Sequence, residues 1–277
     1  IWSIANDCLV DFYEVGDYRK VILPMMVIRR FDAVLAPTKA KVTAMRQRFE
    51  AAGMTDFDDA LCHEAGFAFC NSSPFTLTDL RSRTNQQQLE QDFRLYLDGF
   101  SKNVQDIINR FKFRAQIETL SEHDVLGLLI ERFTDPTINL SNQPVLDDDG
   151  NEILPALDNH TSGTAFEEVI RRFNEETNVT DAGRHFTPRD VVRLMAELAF
   201  VPVADKIQDT TYLIYDGACG TGGMLTVGEE RMHELADAAH KNISVHLYGQ
   251  ENADETYAIA KADMLLKGEE ADHIAYG

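Results

Sequence analysis

The chain has 277 residues, of which 44% are hydrophobic and 26% are charged, and its formal net charge is -20 at pH 7. This length suffices for two domains that each bury a core, and no apolar run approaches the roughly 20 residues of a membrane-spanning helix, so no membrane association is predicted. The net charge argues against a protein that grips DNA by itself, because phosphate contacts need clustered lysine and arginine side chains.

The cysteine and histidine residues show no spacing typical of a metal site. The four cysteines, Cys8, Cys62, Cys70 and Cys219, include no C-x-x-C pair, and the eight histidines complete no zinc-binding pattern. The N-terminus also lacks the pattern of a secretory signal. We therefore expect reduced thiols, no bound metal and a cytoplasmic location.

Residues 1–157 are predicted to form a helical N-terminal domain with a linker. Apolar residues recur at helical spacing, and the clearest stripe consists of Val21, Met25, Ile28, Phe31 and Leu35. Such stripes are typical of a bundle core. From residue 135 to residue 155 the chain is rich in Asp, Asn and Pro, which indicates turns or a small hairpin.

Residues 158–277 are predicted to begin a domain of a different kind. After a helix that carries Phe166 and Phe173, a second helix opens at Pro188. Two β-like runs follow, at residues 211–215 and 245–251, and each precedes a helical pattern. The first of these helices is expected to bury Leu225, Met232, Leu235 and Ala239. Alternating strands and helices predict the α/β class, with the first half of a Rossmann-like parallel sheet.

A glycine cluster at residues 216–223 gives the strongest local signal for a binding site. Asp216 ends the first strand, and the glycines after it let the backbone approach a ligand at the carboxyl edge of the sheet. Glu251 ends the second strand, where a carboxylate accepts hydrogen bonds from ribose hydroxyls. The alternative is that Glu251 only caps the next helix.

The rival nucleotide sites fit the glycine cluster less well. The G-x-G-x-x-G pattern of dinucleotide-binding enzymes, if it began at Gly220, would need its third glycine where Leu225 stands. No Gly-Lys-Ser/Thr sequence occurs, which argues against a P-loop. An adenosyl ligand without a pyrophosphate is therefore preferred.

Three segments, taken together and in this order, resemble the cofactor motifs of type I restriction-modification methyltransferase (modification) subunits. They are GRHFTPR at residues 183–189, DGACGTGG at residues 216–223 and YGQE at residues 248–251. The sequences IWSIAN at residues 1–6 and YRKVILPM at residues 18–25 also resemble the N-terminal domain of that family. The resemblance implies a DNA adenine-N6 methyltransferase that uses S-adenosyl-L-methionine and flips its target base.

The resemblance also assigns roles to individual residues. The Phe186-Thr187-Pro188 segment would fold over the methionine end of the cofactor. Asp216 and the glycine turn would hold its amino-acid portion, and Glu251 would bind the ribose. The cofactor-binding residues implied are His185, Phe186, Thr187, Pro188, Asp216, Ala218, Gly220, Thr221, Gly222, Gly223 and Glu251.

Three positions qualify that assignment. Gly217 stands where proline is common in the family, and Asn252 stands where an apolar residue would pack on the adenine. Cys219 suggests a nucleophile, as in cytosine methyltransferases, but its place inside the cofactor turn argues against that role.

The resemblance implies partners and a catalytic loop as well. The partners are a specificity subunit, a motor-nuclease restriction subunit, a second modification subunit and double-stranded DNA. Family members use an Asn-Pro-Pro-aromatic loop after the cofactor half, and the only similar fragment here is Asp135-Pro136-Thr137. We therefore assign no catalytic residue and expect residues 1–277 to be inactive alone. Alternatives are a fused restriction-modification enzyme and a non-catalytic module for assembly and DNA clamping.

Overall fold

The computed structural model describes residues 1–176 and 187–277 of the chain. Contacts within the chain divide it into two units, Ile1–Asn178 and Val179–Gly277. In the described part of the chain, no helix is long and apolar enough to cross a membrane.

Helices build most of the first unit, as the periodicity predicts. Its first nine α-helices are α1 (Trp2–Leu9), α2 (Arg19–Leu35), α3 (Lys39–Ala51), α4 (Asp58–Ala65), α5 (Leu77–Arg81), α6 (Gln86–Asp98), α7 (Lys102–Arg110), α8 (Arg114–Glu122) and α9 (Leu126–Phe133). Helix α2 is the central one, because its residues from Val21 to Ile28 are all buried. A helix that is apolar on all sides belongs inside a core.

A carboxylate lies among the apolar side chains of this core. Asp32 Oδ1 accepts hydrogen bonds from the hydroxyl of Tyr96 at 3.0 Å and from the backbone N–H of Leu77 at 3.2 Å. Arg29 Nη1 lies 3.7 Å from Asp32 Oδ2. Burial raises the pKa of Asp32, while Arg29 and the two hydrogen bonds oppose that shift. Asp32 therefore joins α2 to α5 and α6.

A hairpin and a long helix complete the first unit. Strands β1 (Val145–Leu146) and β2 (Glu152–Leu154) pair in antiparallel fashion, which confirms the hairpin predicted from turn residues. Helix α10 (Asn159–Glu176) follows. The ring of its Phe173 lies 5.1 Å from that of Trp2, centroid to centroid. Helix α10 thus packs on the N-terminal helices. The domain boundary near residue 158 stays a prediction.

The second unit contains a parallel sheet flanked by helices. After α11 (Arg189–Phe200), its elements are β3 (Thr211–Asp216), α12 (Gly223–Ala238), β4 (Ser244–Glu251), α13 (Asp254–Lys267) and β5 (Ile274–Tyr276). The strand order is β3-β4-β5, and both strand pairs are parallel. The α/β prediction is confirmed. One detail was wrong: Ala239 lies past the end of α12 and is exposed, and Ala236 is buried instead.

One face of β3 lacks a covering element among the described residues. Leu213 is 67% exposed and Tyr215 is 65% exposed, whereas Ile214 packs against the core formed with α12 and α13. Strand β3 also stands at the edge of the described sheet. Leu213 and Tyr215 thus form an exposed apolar strip on β3.

Candidate cofactor site

The glycine turn after β3 is held by its own polar groups. Asp216 Oδ1 accepts a hydrogen bond from the backbone N–H of Ala218 at 3.0 Å. The N–H of Gly222 donates to the carbonyl oxygen of Cys219 at 2.8 Å. Gly220 has a φ of +57° and Gly222 a φ of +88°. Residues other than glycine rarely adopt this region of backbone conformation. The turn therefore needs these two glycines for its shape.

A backbone hydrogen bond joins the turn to the end of β4. The N–H of Cys219 donates to the carbonyl oxygen of Gln250 at 2.9 Å, and Asp216 is in register with Gly249. Glu251 is the next residue after Gln250. The structure thus brings Asp216, the glycine turn and Glu251 to one edge of the sheet. The carboxyl edge of a parallel sheet is where such folds bind their ligands.

Gly249 permits this close approach, and the sequence reasoning missed it. A Cβ atom at this position would lie 2.8 Å from Cys219 Sγ and 2.9 Å from Ile274 Cδ1. These distances are too short for any side chain to fit without movement of its neighbours. The sequence did contain a sign of this contact, because an isolated glycine within a strand indicates close approach of another segment.

We expect Gly249→Ala to destabilise the second unit by about 1 to 3 kcal/mol, as overpacking of a core does. The measurement is urea unfolding followed by circular dichroism. Gly217→Ala is the matched control, since the atoms nearest to a Cβ there belong to the Tyr215 side chain, at 3.4 Å and beyond. Equal stability of the two variants would show that the glycine turn can move away from β4 far enough to admit a Cβ at residue 249.

Glu251 already serves one structural role with one of its oxygen atoms. Its Oε1 accepts hydrogen bonds from the backbone N–H groups of Asn252 and Ala253, both at 2.8 Å, just before α13 begins. Its Oε2 has no hydrogen bond within the described residues. This oxygen therefore holds the turn that leads into α13, whose own first turn has no side-chain cap, and the other oxygen remains able to accept a hydrogen bond from a ligand.

Cys219 faces the interior of the sheet edge. Its side chain is buried against Gly249. Burial raises the pKa of the Cys219 thiol to about 12, and the nearby carboxylates of Asp216 and Glu251 add to the shift. The thiol is protonated at neutral pH, and a protonated thiol is a poor nucleophile. This environment supports the packing role over the nucleophile alternative.

Alkylation rates test this assignment of Cys219. With iodoacetamide at pH 8, a thiol of pKa about 12 is ionised in only about one molecule in ten thousand, so Cys219 is expected to react slowly in the folded protein. Cys62 is the comparison, because it is half-buried and a hydrogen bond from Cys70 lowers its pKa. Peptide mass spectrometry over time gives both rates. Cys219 reacting before Cys62 would contradict the assignment.

The remaining predicted site residues lie before α11. Thr187 and Pro188 are exposed, and the carbonyl oxygen of Pro188 accepts the hydrogen bonds that start that helix. His185 and Phe186 lie outside the described residues. The contact of this segment with the cofactor stays a prediction. No group of three or more potential metal ligands occurs among the residues that the structure describes.

Comparisons with known proteins match both halves of the chain. Residues 157–277 match the N-6 DNA Methylase family, and residues 1–133 match the HsdM N-terminal domain. The chain belongs to the family of type I restriction-modification methyltransferase subunits. The resemblance described from the three sequence motifs is thereby confirmed.

The chain matches part of the length of individual curated relatives. It is 23% identical to the Type I restriction enzyme MpnII methylase subunit of Mycoplasma pneumoniae, over 96% of this chain and 49% of the relative. It is 29% identical to the HindI methylase subunit of Haemophilus influenzae, over 57% of this chain and 31% of the relative. The chain therefore spans about half the length or less of these curated relatives.

A solved structure has the same fold. The type I restriction-modification methyltransferase subunit from Streptococcus thermophilus matches with a TM-score of 0.60 and 20% identity, over 99% of this chain and 56% of that one. The match confirms a helical N-terminal region followed by an α/β methyltransferase fold.

Proposed function

We propose that this chain is the cofactor-binding part of a DNA adenine-N6 methyltransferase, the modification subunit of a type I restriction-modification system. The observation that carries the proposal is the meeting of Asp216, the glycine turn and Glu251 at the carboxyl edge of a parallel sheet. Two acidic side chains on either side of a close backbone approach suit a ligand with a cationic amino-acid end and a ribose. S-adenosyl-L-methionine has both.

Each residue of the edge would contribute one contact. Asp216 uses Oδ1 to hold the turn, which leaves Oδ2 to accept a hydrogen bond from the ammonium group of the ligand. Glu251 likewise has Oε2 available for a ribose hydroxyl. The bound cofactor supplies an electrophilic methyl group. The target adenine would be flipped out of the duplex, because its amino group is otherwise hard to reach.

Ligand titration by calorimetry tests the cofactor. We expect S-adenosylmethionine and S-adenosylhomocysteine to bind, and NAD, FAD and ATP not to bind. Glu251→Ala should weaken binding by about 1.5 to 3 kcal/mol, the range for a hydrogen bond to a charged group. Glu255→Ala is the matched control, because it removes an acidic side chain from the first turn of α13. Equal binding by wild type and Glu251→Ala would limit Glu251 to holding the turn before α13, and binding of NAD alone would refute the cofactor assignment.

The charge of the chain predicts how it meets DNA. With a net charge of -20, the chain alone is expected to bind duplex DNA poorly at physiological salt. We propose that a specificity subunit provides most of the contacts with DNA. It would do so in a complex that also contains a second modification subunit and a motor-nuclease subunit. Gel-shift titrations with and without the specificity subunit test this. Strong, salt-sensitive binding by the chain alone would contradict it.

A further inference from the structure

Gln250 connects three chain segments at the carboxyl edge of the sheet. Its carbonyl oxygen accepts the hydrogen bond from the N–H of Cys219 in the glycine turn. Its side-chain Oε1 accepts a hydrogen bond from the hydroxyl of Tyr215 at 3.2 Å, and its Nε2 donates to the carbonyl oxygen of Gly277 at 2.7 Å. One residue thus joins β3, the glycine turn and the chain after β5.

The partners of Gln250 are themselves next to the acidic residues of the candidate site. Tyr215 directly precedes Asp216, and its ring lies against Gly217, where an ideal Cβ would be 3.4 Å from the ring. The N–H of Gly277 donates to the carbonyl oxygen of Glu251 at 3.1 Å. Movement of Gln250 would therefore be transmitted to both carboxylates.

We propose that Gln250 is a positioning residue of the candidate cofactor site, which holds Asp216 and Glu251 at the separation that a bound adenosyl amino acid requires. This inference rests on the proposed function. Gln250 acts through its neighbours and touches no ligand in this role. A site that is held in its binding geometry before the ligand arrives binds more tightly, because less ordering remains to be done on binding.

A purely structural role for Gln250 makes a different prediction. In that case its substitution would lower the stability of the second unit but leave the affinity of the folded protein unchanged. A positioning role predicts weaker ligand binding in protein that is fully folded. The two readouts separate the roles.

The experiment is a double-mutant cycle on S-adenosylhomocysteine affinity, measured in the full chain with any natural sequence beyond residue 277 included. Tyr215→Phe removes one hydrogen bond and is expected to raise the Kd about threefold. Gln250→Leu removes both side-chain bonds and is expected to raise the Kd about tenfold. The double variant should match Gln250→Leu, because the Tyr215 bond is then already lost.

Two further variants sharpen the cycle. Tyr212→Phe is the matched control, since its hydroxyl also makes a hydrogen bond on β3, at 2.9 Å from the N–H of Gln208, but at the far end of the strand. Its Kd should equal that of the wild type. Gln250→Glu keeps the acceptor for Tyr215 but replaces the donor to Gly277 by a carboxylate oxygen that the carbonyl oxygen of Gly277 repels, so its Kd should also exceed that of the wild type.

The outcomes distinguish this inference from the cofactor assignment. If the wild type binds S-adenosylhomocysteine and folded Gln250→Leu binds it equally well, the positioning role is overturned and the proposed function stands. The same holds if the effects of Tyr215→Phe and Gln250→Leu simply add. If the wild type does not bind this ligand, the cofactor assignment is wrong and the inference is overturned with it.

Discussion

No methyl transfer to DNA above background is expected from a polypeptide made of residues 1–277, even with a specificity subunit present. These residues contain no Asn-Pro-Pro-aromatic sequence, which on the proposed function would hold the adenine amine toward the methyl group. Orientation of the reacting groups can account for about 7 to 11 kcal/mol of barrier lowering, and its loss makes residual turnover undetectable. The measurement is tritiated-methyl transfer to DNA that carries the recognition site.

The control for that assay is a complete type I methyltransferase, tested with its own specificity subunit and DNA. Turnover by residues 1–277, in a preparation whose mass is verified, would contradict the expectation. It would place catalysis in residues to which we assign other roles. His185 and Cys219 would then be the first to substitute.

Asp32→Ala is expected to lower the free energy of unfolding of the helical unit by about 3 to 5 kcal/mol. The substitution leaves the hydroxyl of Tyr96 and the N–H of Leu77 without their acceptor in a buried core, and it removes the carboxyl group beside Arg29. Asp32→Asn keeps an acceptor oxygen in the same place. Its cost should be smaller, about 1 kcal/mol, because burial opposes the negative charge that this substitution removes.

The matched control is Asp17→Ala, which removes the ion pair with Lys20 at 2.7 Å, where both side chains are 45% exposed. Exposed pairs of this kind contribute at most about 1 kcal/mol. Urea unfolding of the three variants gives the comparison. Equal losses for Asp32→Ala and Asp17→Ala would show that the buried network adds no stability.

The sequence predicted the elements that depend on local patterns. The stripe of Val21 and Phe31 placed α2 in the core, because apolar spacing alone decides which face of a helix is buried. The strand, glycine turn and second strand gave the sheet edge with Asp216 and Glu251. The end of α12 was misjudged, since Ala236 and Ala239 both suit a helix and only packing distinguishes them.

The features that the sequence did not predict depend on contacts between distant segments. Asp32 reaches Tyr96 across 64 positions of the chain. The contact between Cys219 and Gly249 depends on the register of two strands. The hydrogen bonds from Asn252 and Ala253 to Glu251 were not predicted, because the sequence suggested only a helix cap or a ribose contact for this carboxylate. Residue type fixes the available chemistry, but the folded geometry decides its use.

Helix α10 lies between two different boundaries, the start of the sequence match to the methylase family and the start of the second compact unit. The N-6 DNA Methylase match begins at residue 157, whereas the second compact unit begins at Val179. If the two halves were expressed separately with a division at residue 157, Phe173 and Trp2 would lie on different polypeptides. The apolar surface that they share would then be exposed. The division would also attach an unpaired amphipathic helix to the other half. Both pieces would then aggregate more readily than pieces divided after α10, so the safer place to divide this chain lies beyond residue 176.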